Sequence, residues 1–210
     1  MPRLLIPTAE PFYMQGGEHG CVLVHGFTGA PKEMRLMGTA LNARGITVMG
    51  VRLAGHATQP ADLIRTRWQD WLACVEDGYN YLRGNCQYIF LAGLSLGGIL
   101  SLVAASYLDV KGVIALSAPY ELPRDWRLGF ARPASLLVPW IHKGKSDMQN
   151  QEIAREHVDY SAYPTRSIAE VHALTKALQH GLPKISCPVL LVYSRSDQTV
   201  PHTHADRIKE

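Results

Sequence analysis

The amino-acid sequence predicts an α/β fold, with a mostly parallel sheet covered by helices on both faces. Three observations carry this. Short apolar runs recur along the 210 residues, separated by stretches of helical spacing. The runs are continuous and do not alternate, as in strands buried on both faces. One run, Tyr88 to Ala92, leads into Gly93-Leu94-Ser95-Leu96-Gly97 and then a long apolar helix, Ile99 to Leu108. A strand, a sharp turn carrying a serine and a helix are the context in which that glycine–serine pattern has meaning.

The elements follow in order. Cys21 to His25 is an apolar run that ends in a glycine-rich turn, Gly26 to Gly29. Pro31 suits a first helical turn, Met34, Met37 and Leu41 keep helical spacing, and Gly45 stops the pattern. Ile46 to Val51 reads as the next strand. Pro60 to about Leu82 reads as one helix, with Leu63, Trp68, Trp71, Leu72, Val75 and Tyr79 on its apolar side. Val110 to Leu116 is a further strand. Between Pro119 and Pro164 the rhythm breaks into a stretch rich in proline and aromatic residues, too long and too apolar for a simple loop. The expected organisation is a core of residues 1–118 and 165–210 with a cap inserted at 119–164. Ser167 to His180 resumes as a helix. Val189 to Tyr193 is a strand whose uniform apolarity suits the middle of a sheet, and Thr203 to Glu210 opens another helix.

Composition narrows the classes of function. A net charge of +3 without a Lys/Arg block gives no reason to expect a nucleic-acid partner. No segment approaches the roughly 18 apolar residues of a membrane span, so stable membrane insertion is not expected. The N-terminal apolar run is too short for a signal-peptide core, which makes the cytoplasm the default location. Cys21, Cys74, Cys86 and Cys187 lack the paired spacing of a metal site and read as buried free thiols. No metal is expected.

Ser95 is the candidate nucleophile. Its hydroxyl needs a base, and the tight elbow around it leaves no room for side chains at 93 and 97. Asp197 is the candidate acid: it follows an apolar strand, where catalytic groups gather in parallel sheets, and it comes after the serine. The backbone N–H groups of Leu96 and Phe27 are the candidate oxyanion donors. His25 reads as a structural residue bonded to loop backbone, and His202 and His204 lie too near Asp197 to serve as the base. His56, just past a strand, is a candidate substrate-binding residue, as are Trp126, Phe130 and Trp140 in the presumed cap, where apolar walls suit acyl chains.

Five stretches together resemble the α/β-hydrolase superfamily, and within it the bacterial carboxylesterases and monoacylglycerol lipases with a small cap. They are His25-Gly26-Phe27-Thr28-Gly29, Arg52-Leu53-Ala54-Gly55-His56, Trp68-Gln69-Asp70-Trp71, Gly93 to Gly98, and Ser194 to Pro201. In the second, Ala57 stands where the family usually continues with glycine. The resemblance implies a hydrolase without cofactors that acts on a small apolar ester, through an acyl-enzyme on Ser95. Thioester or peptide hydrolysis, and a hydrolase-like binding protein without catalysis, are the alternatives. It also implies a histidine after one more helix and strand, a position past Glu210. The expected fold therefore lacks a C-terminal strand and helix, and the strand at 189–193 is left with an unpaired edge open to self-association.

Overall fold

The continuous apolar runs become strands with both faces buried. In β2 (His19–Val24), Val22 and Val24 pack with Trp71, Val75, Leu100 and Leu174 on one side of the sheet. Cys21 and Leu23 pack with Phe12, Met34 and Val48 on the other. The alternation of side chains along a strand makes this split. These assignments come from a computed structural model that describes residues 3–122, 138–144, 150 and 157–210.

The main sheet also contains β1 (Phe12–Met14), β3 (Thr47–Val51), β4 (Tyr88–Leu94) and β5 (Gly112–Leu116). A two-stranded pair, β6 (Trp140–His142) and β7 (Ala162–Pro164), stands apart from it and is antiparallel. With β8 (Val189–Val192), the main sheet runs in the order β1-β3-β2-β4-β5-β8. Only the β1–β3 pairing is antiparallel. β1 is a strand that the sequence reading did not include, since three residues are too few to show a period.

A single 3-10 turn, Pro31–Met34, leads into α1 (Arg35–Asn42), on the Met34 side of the sheet. The helix expected over 60–82 is two helices, α2 (Pro60–Arg65) and α3 (Trp68–Arg83). Thr66 and Arg67 between them are extended, and the Asp70 carboxylate accepts from the Arg67 N–H at 2.7 Å, capping a new start. The Trp71 indole N–H then donates to Thr66 Oγ1 at 2.9 Å. α4 (Leu96–Ala105) follows the elbow and is buried at all ten residues, between the sheet and α5 (Thr165–Gly181) and α3. α6 (His204–Lys209) comes after the loop that holds Asp197.

β8 pairs with β5 alone among the described residues, which leaves the unpaired edge expected of the strand at 189–193, and Val189, Leu190 and Val192 are 39%, 55% and 44% exposed. All four cysteines are free as expected, but only Cys21 and Cys86 are buried; Cys74 and Cys187 are partly exposed. No helix among the described residues is long and apolar enough to cross a membrane.

Candidate active site

The sheet order reverses direction between β2 and β4: from β2 the chain steps outward to β3, then returns to the far side for β4 and β5. The crevice beyond the carboxyl ends of strands at such a reversal is where parallel sheets bind ligands. Ser95 follows β4 and Phe27 follows β2, so the nucleophile candidate and one oxyanion-donor candidate sit on the two strands that flank the reversal.

Ser95 is held at φ 52°, ψ −113°, a conformation that a side chain rarely adopts. Its N–H donates to the Leu116 carbonyl at 2.8 Å, and its carbonyl accepts the first bond of α4, from Ile99, at 3.2 Å. The half-buried side chain is thus lifted off the strand end. The glycines around it answer to contact. A Cβ on Gly93 would overlap the Gly97 carbonyl, and one on Gly97 would overlap the Val24 carbonyl. A Cβ on Gly98 would lie 2.8 Å from the Ala118 side chain.

The Phe27 turn is fixed from several sides. The Leu53 N–H donates to His25 Nε2 at 3.1 Å, so Nδ1 carries the proton and donates to the Gly26 carbonyl at 2.9 Å. A peptide unit is planar and trans, so holding the Gly26 carbonyl also aims the Phe27 N–H the opposite way. Burial, opposed by the hydrogen bond to Gly26, pushes the His25 pKa down to about 4 and keeps the ring neutral. Gly26 lies against the elbow: a Cβ there would be 3.9 Å from Ser95 Cβ. Among the described residues, neither the Phe27 N–H nor the Leu96 N–H has an acceptor. The Phe27 ring stacks on Tyr163 of β7, with centroids 5.6 Å apart and planes 5° apart.

Asp197 is held by its own turn. Its Oδ1 accepts from the Thr199 and Val200 N–H groups at 2.9 and 2.8 Å. Partial burial works to raise its pKa, but these bonds and one from the Ser117 hydroxyl hold it below the ordinary value, so it stays ionised. Ser117 follows β5 directly after Leu116, whose carbonyl holds Ser95, and its N–H donates to Val192 of β8 at 2.8 Å. Leu116 and Ser117 therefore touch both the serine elbow, through the Leu116 carbonyl, and the acid, through the Ser117 hydroxyl.

His56 is fully buried, with its ring against His25, Phe27 and Trp71. Nδ1 bonds the Ala54 carbonyl at 3.0 Å, and Nε2 has no partner among the described residues. The ring supports Phe27 from behind. The departure at Ala57 has a physical cost: the residue sits at φ 58° and is buried, where glycine would be unstrained. Trp140 is half-buried on β6. Trp126 and Phe130 lie outside the described residues.

Sequence reasoning missed Glu33. Its carboxylate accepts from the Gly26 N–H at 2.8 Å, while its other oxygen lies 3.4 Å from His157 Nε2. At the start of a helix a glutamate is ordinarily read as a dipole partner; only the proline turn that folds 31–34 back under the Phe27 loop reveals it.

A six-stranded, mostly parallel sheet with a strained serine elbow beside its point of reversal is the architecture of the alpha/beta hydrolases. The chain belongs to that family, whose profile matches residues 21–210. Over 201 residues it is 37% identical to the thermostable monoacylglycerol lipase of Bacillus sp. (strain H-257), covering 95% of this chain and 79% of the relative. It is 30% identical to the carboxylesterase of Bacillus subtilis (strain 168), covering 93% and 78%. Among solved structures, one from the pair LipS and LipT, described as metagenome-derived lipolytic enzymes, matches with a TM-score of 0.90 at 28% identity, covering 98% of this chain and 83% of that one.

Proposed function

We propose that the protein hydrolyses carboxylic esters of short to medium acyl chains, monoacylglycerols among them, through an acyl-enzyme on Ser95. The observation that carries this reading is the strained Ser95 at the point of sheet reversal, with two unengaged N–H groups at its flanks. In this reading Ser95 Oγ attacks the ester carbonyl, and the carbonyl oxygen takes the negative charge between the Phe27 and Leu96 N–H groups. Collapse expels the alcohol, and water then releases the acid from Ser95. Asp197 orients and stabilises the histidine that carries the proton from Ser95 to the leaving alcohol. None of the nine histidines hydrogen-bonds Ser95 or Asp197: His25 has both ring nitrogens engaged, and His204 Nδ1 accepts from the Tyr120 N–H at 2.9 Å.

Residues 119–164 are the cap in this reading, and Trp126, Phe130 and Trp140 are its substrate-binding candidates. The two relatives above support an ester as the bond cleaved. Apolar walls favour acyl chains of about four to ten carbons over acetate, since each buried methylene is worth about 0.8 kcal/mol. The test joins fluorophosphonate labelling to a p-nitrophenyl ester series running from acetate upward. Labelling at Ser95, its loss in Ser95→Ala, and rates that rise beyond acetate are the expected results. Labelling that persists in Ser95→Ala removes the assignment. Rates that fall steeply from acetate remove the acyl-binding cap.

A further inference from the structure

The loop that carries Phe27 is gripped from beneath by a cluster of ionisable side chains which the proposed chemistry does not use. Glu33 has a side chain only 9% exposed. One carboxylate oxygen accepts from the Gly26 N–H at 2.8 Å, and the other faces His157. Lys143 donates to Thr28 Oγ1 at 2.6 Å and pairs with Asp159, which lies 3.8 Å from His157. Lys143 also sits 4.9 Å from the centroid of Tyr163, the ring stacked on Phe27. The Tyr160 N–H donates to the Thr28 carbonyl at 3.1 Å. Every residue from Gly26 to Thr28 is therefore held either by Glu33 or by the segment around β6 and β7.

The geometry points to Glu33 as a positioning residue for ester hydrolysis: its carboxylate holds the Gly26 amide and so fixes the direction of the next N–H, that of Phe27, while Lys143, His157 and Asp159 set the strength of that hold. This rests on the reading of Phe27 as an oxyanion donor. His25 pins the carbonyl of the Gly26–Phe27 peptide, and Glu33 pins the N–H of the peptide before it. Two successive planar units held at opposite ends leave the turn no free rotation. A carboxylate is a stronger acceptor for a backbone N–H than a carboxylic acid, so the grip weakens when Glu33 takes a proton. Burial, with the negative charge of Asp159 and against the Gly26 bond and Lys143, pushes its pKa up to about 7. Among the described residues, Asp159, Lys143 and His157 are the charged or titratable groups that face it.

The experiment reads the loop directly, by following the Gly26 amide in glycine-labelled protein by NMR across about pH 5.5 to 8.5. The Gly26 resonance is expected to titrate with a midpoint near that of Glu33, and the titration is expected to vanish in Glu33→Gln. In Asp159→Asn, a milder change at a partly exposed site, the midpoint falls, because a charge that favours the protonated form is gone. In His157→Gln the titration survives. In ester turnover, Glu33→Gln lowers kcat roughly tenfold with KM little changed, because a donor misaligned by a fraction of an ångström loses transition-state contact. A Gly26 amide that does not titrate, or titrates unchanged in Glu33→Gln, overturns the proposal whether or not the protein turns over esters. An unchanged kcat in Glu33→Gln overturns it where turnover is measurable. Failure of Ser95 to label overturns the ester reading instead, and the amide titration then decides alone whether Glu33 grips the loop.

Discussion

Ser95 stores strain, and strain can be released. A non-glycine residue in so unusual a backbone conformation costs about 1–3 kcal/mol, which the surrounding packing has to absorb. Ser95→Gly removes most of that cost, offset by the greater freedom of glycine in the unfolded chain. The expected outcome is a gain of about 1 kcal/mol, or roughly 2–4 °C in Tm, together with complete loss of fluorophosphonate labelling. Gly97→Ala, by contrast, forces a Cβ into the Val24 backbone and is expected to lower Tm by several degrees. Thermal melts of the two variants check both; a Ser95→Gly protein less stable than the parent would mean that the elbow is not strained. The elbow was legible in the sequence because its requirement is local and steric: two glycines, one serine, one strand before and one helix after. Glu33 was not legible, because it meets Gly26 through a turn and not through a spacing that any helix or strand would mark. His56 was placed near the right edge of the sheet by its position after β3, but its burial among aromatic rings depends on contacts far apart in the chain.

At the level of elements, strands in the middle of the sheet were read well, because burial on both faces writes itself as continuous apolarity. β8 carries the same signature and is half exposed at the sheet edge, as the reading of an unpaired strand at 189–193 expected. Apolarity reports what a strand wants to meet and does not report whether the partner is there. The split between α2 and α3 was hidden for a related reason: apolar spacing carries on through Thr66 and Arg67, and only the Asp70 cap shows the interruption. An exposed apolar edge strand invites pairing with another chain. The protein is expected to self-associate through β8, with an elution volume that depends on concentration in size-exclusion chromatography. Leu190→Lys puts a charge on that edge and is expected to shift the protein toward monomer with little change in Tm. A parent protein that stays monomeric at high concentration removes β8 as a contact surface.

For the whole molecule, buried titratable groups pull in opposite directions. His25 and His56 are kept neutral by burial, His25 with a pKa pushed down to about 4. Below the ordinary value of 6.5 the unfolded chain takes up protons that the folded protein refuses, so stability falls as pH drops through that range. Glu33 acts the other way. Burial raises its pKa from 4.5 to about 7, so the folded protein keeps a proton that the unfolded chain gives up, and its contribution is lost as pH rises across that interval. Each proton of difference is a slope of about 1.4 kcal/mol per pH unit. At mildly acidic pH the buried histidines and Glu33 therefore tilt stability in opposite directions. Glu33→Gln removes the opposing group and is expected to steepen the acid loss of stability by up to about 1.4 kcal/mol per pH unit, as measured by urea unfolding at about pH 5 and 6. An unchanged slope would mean that Glu33 is ionised in the folded protein at that pH.

α4 has no side that faces water: all ten of its residues are buried, and the serine stands immediately before its first residue. The opposite wall of the crevice, from Gly26 to Thr28, hangs instead on a few hydrogen bonds, two stacked rings and an ion-pair cluster. One jaw is set in the masonry of the protein and the other is on a hinge of side chains. In the ester hydrolysis proposed above, substitutions tolerated at the second jaw retune which esters fit, while the first admits almost none. The capacity of this scaffold to drift toward new substrates is thus concentrated on one side of its reaction point.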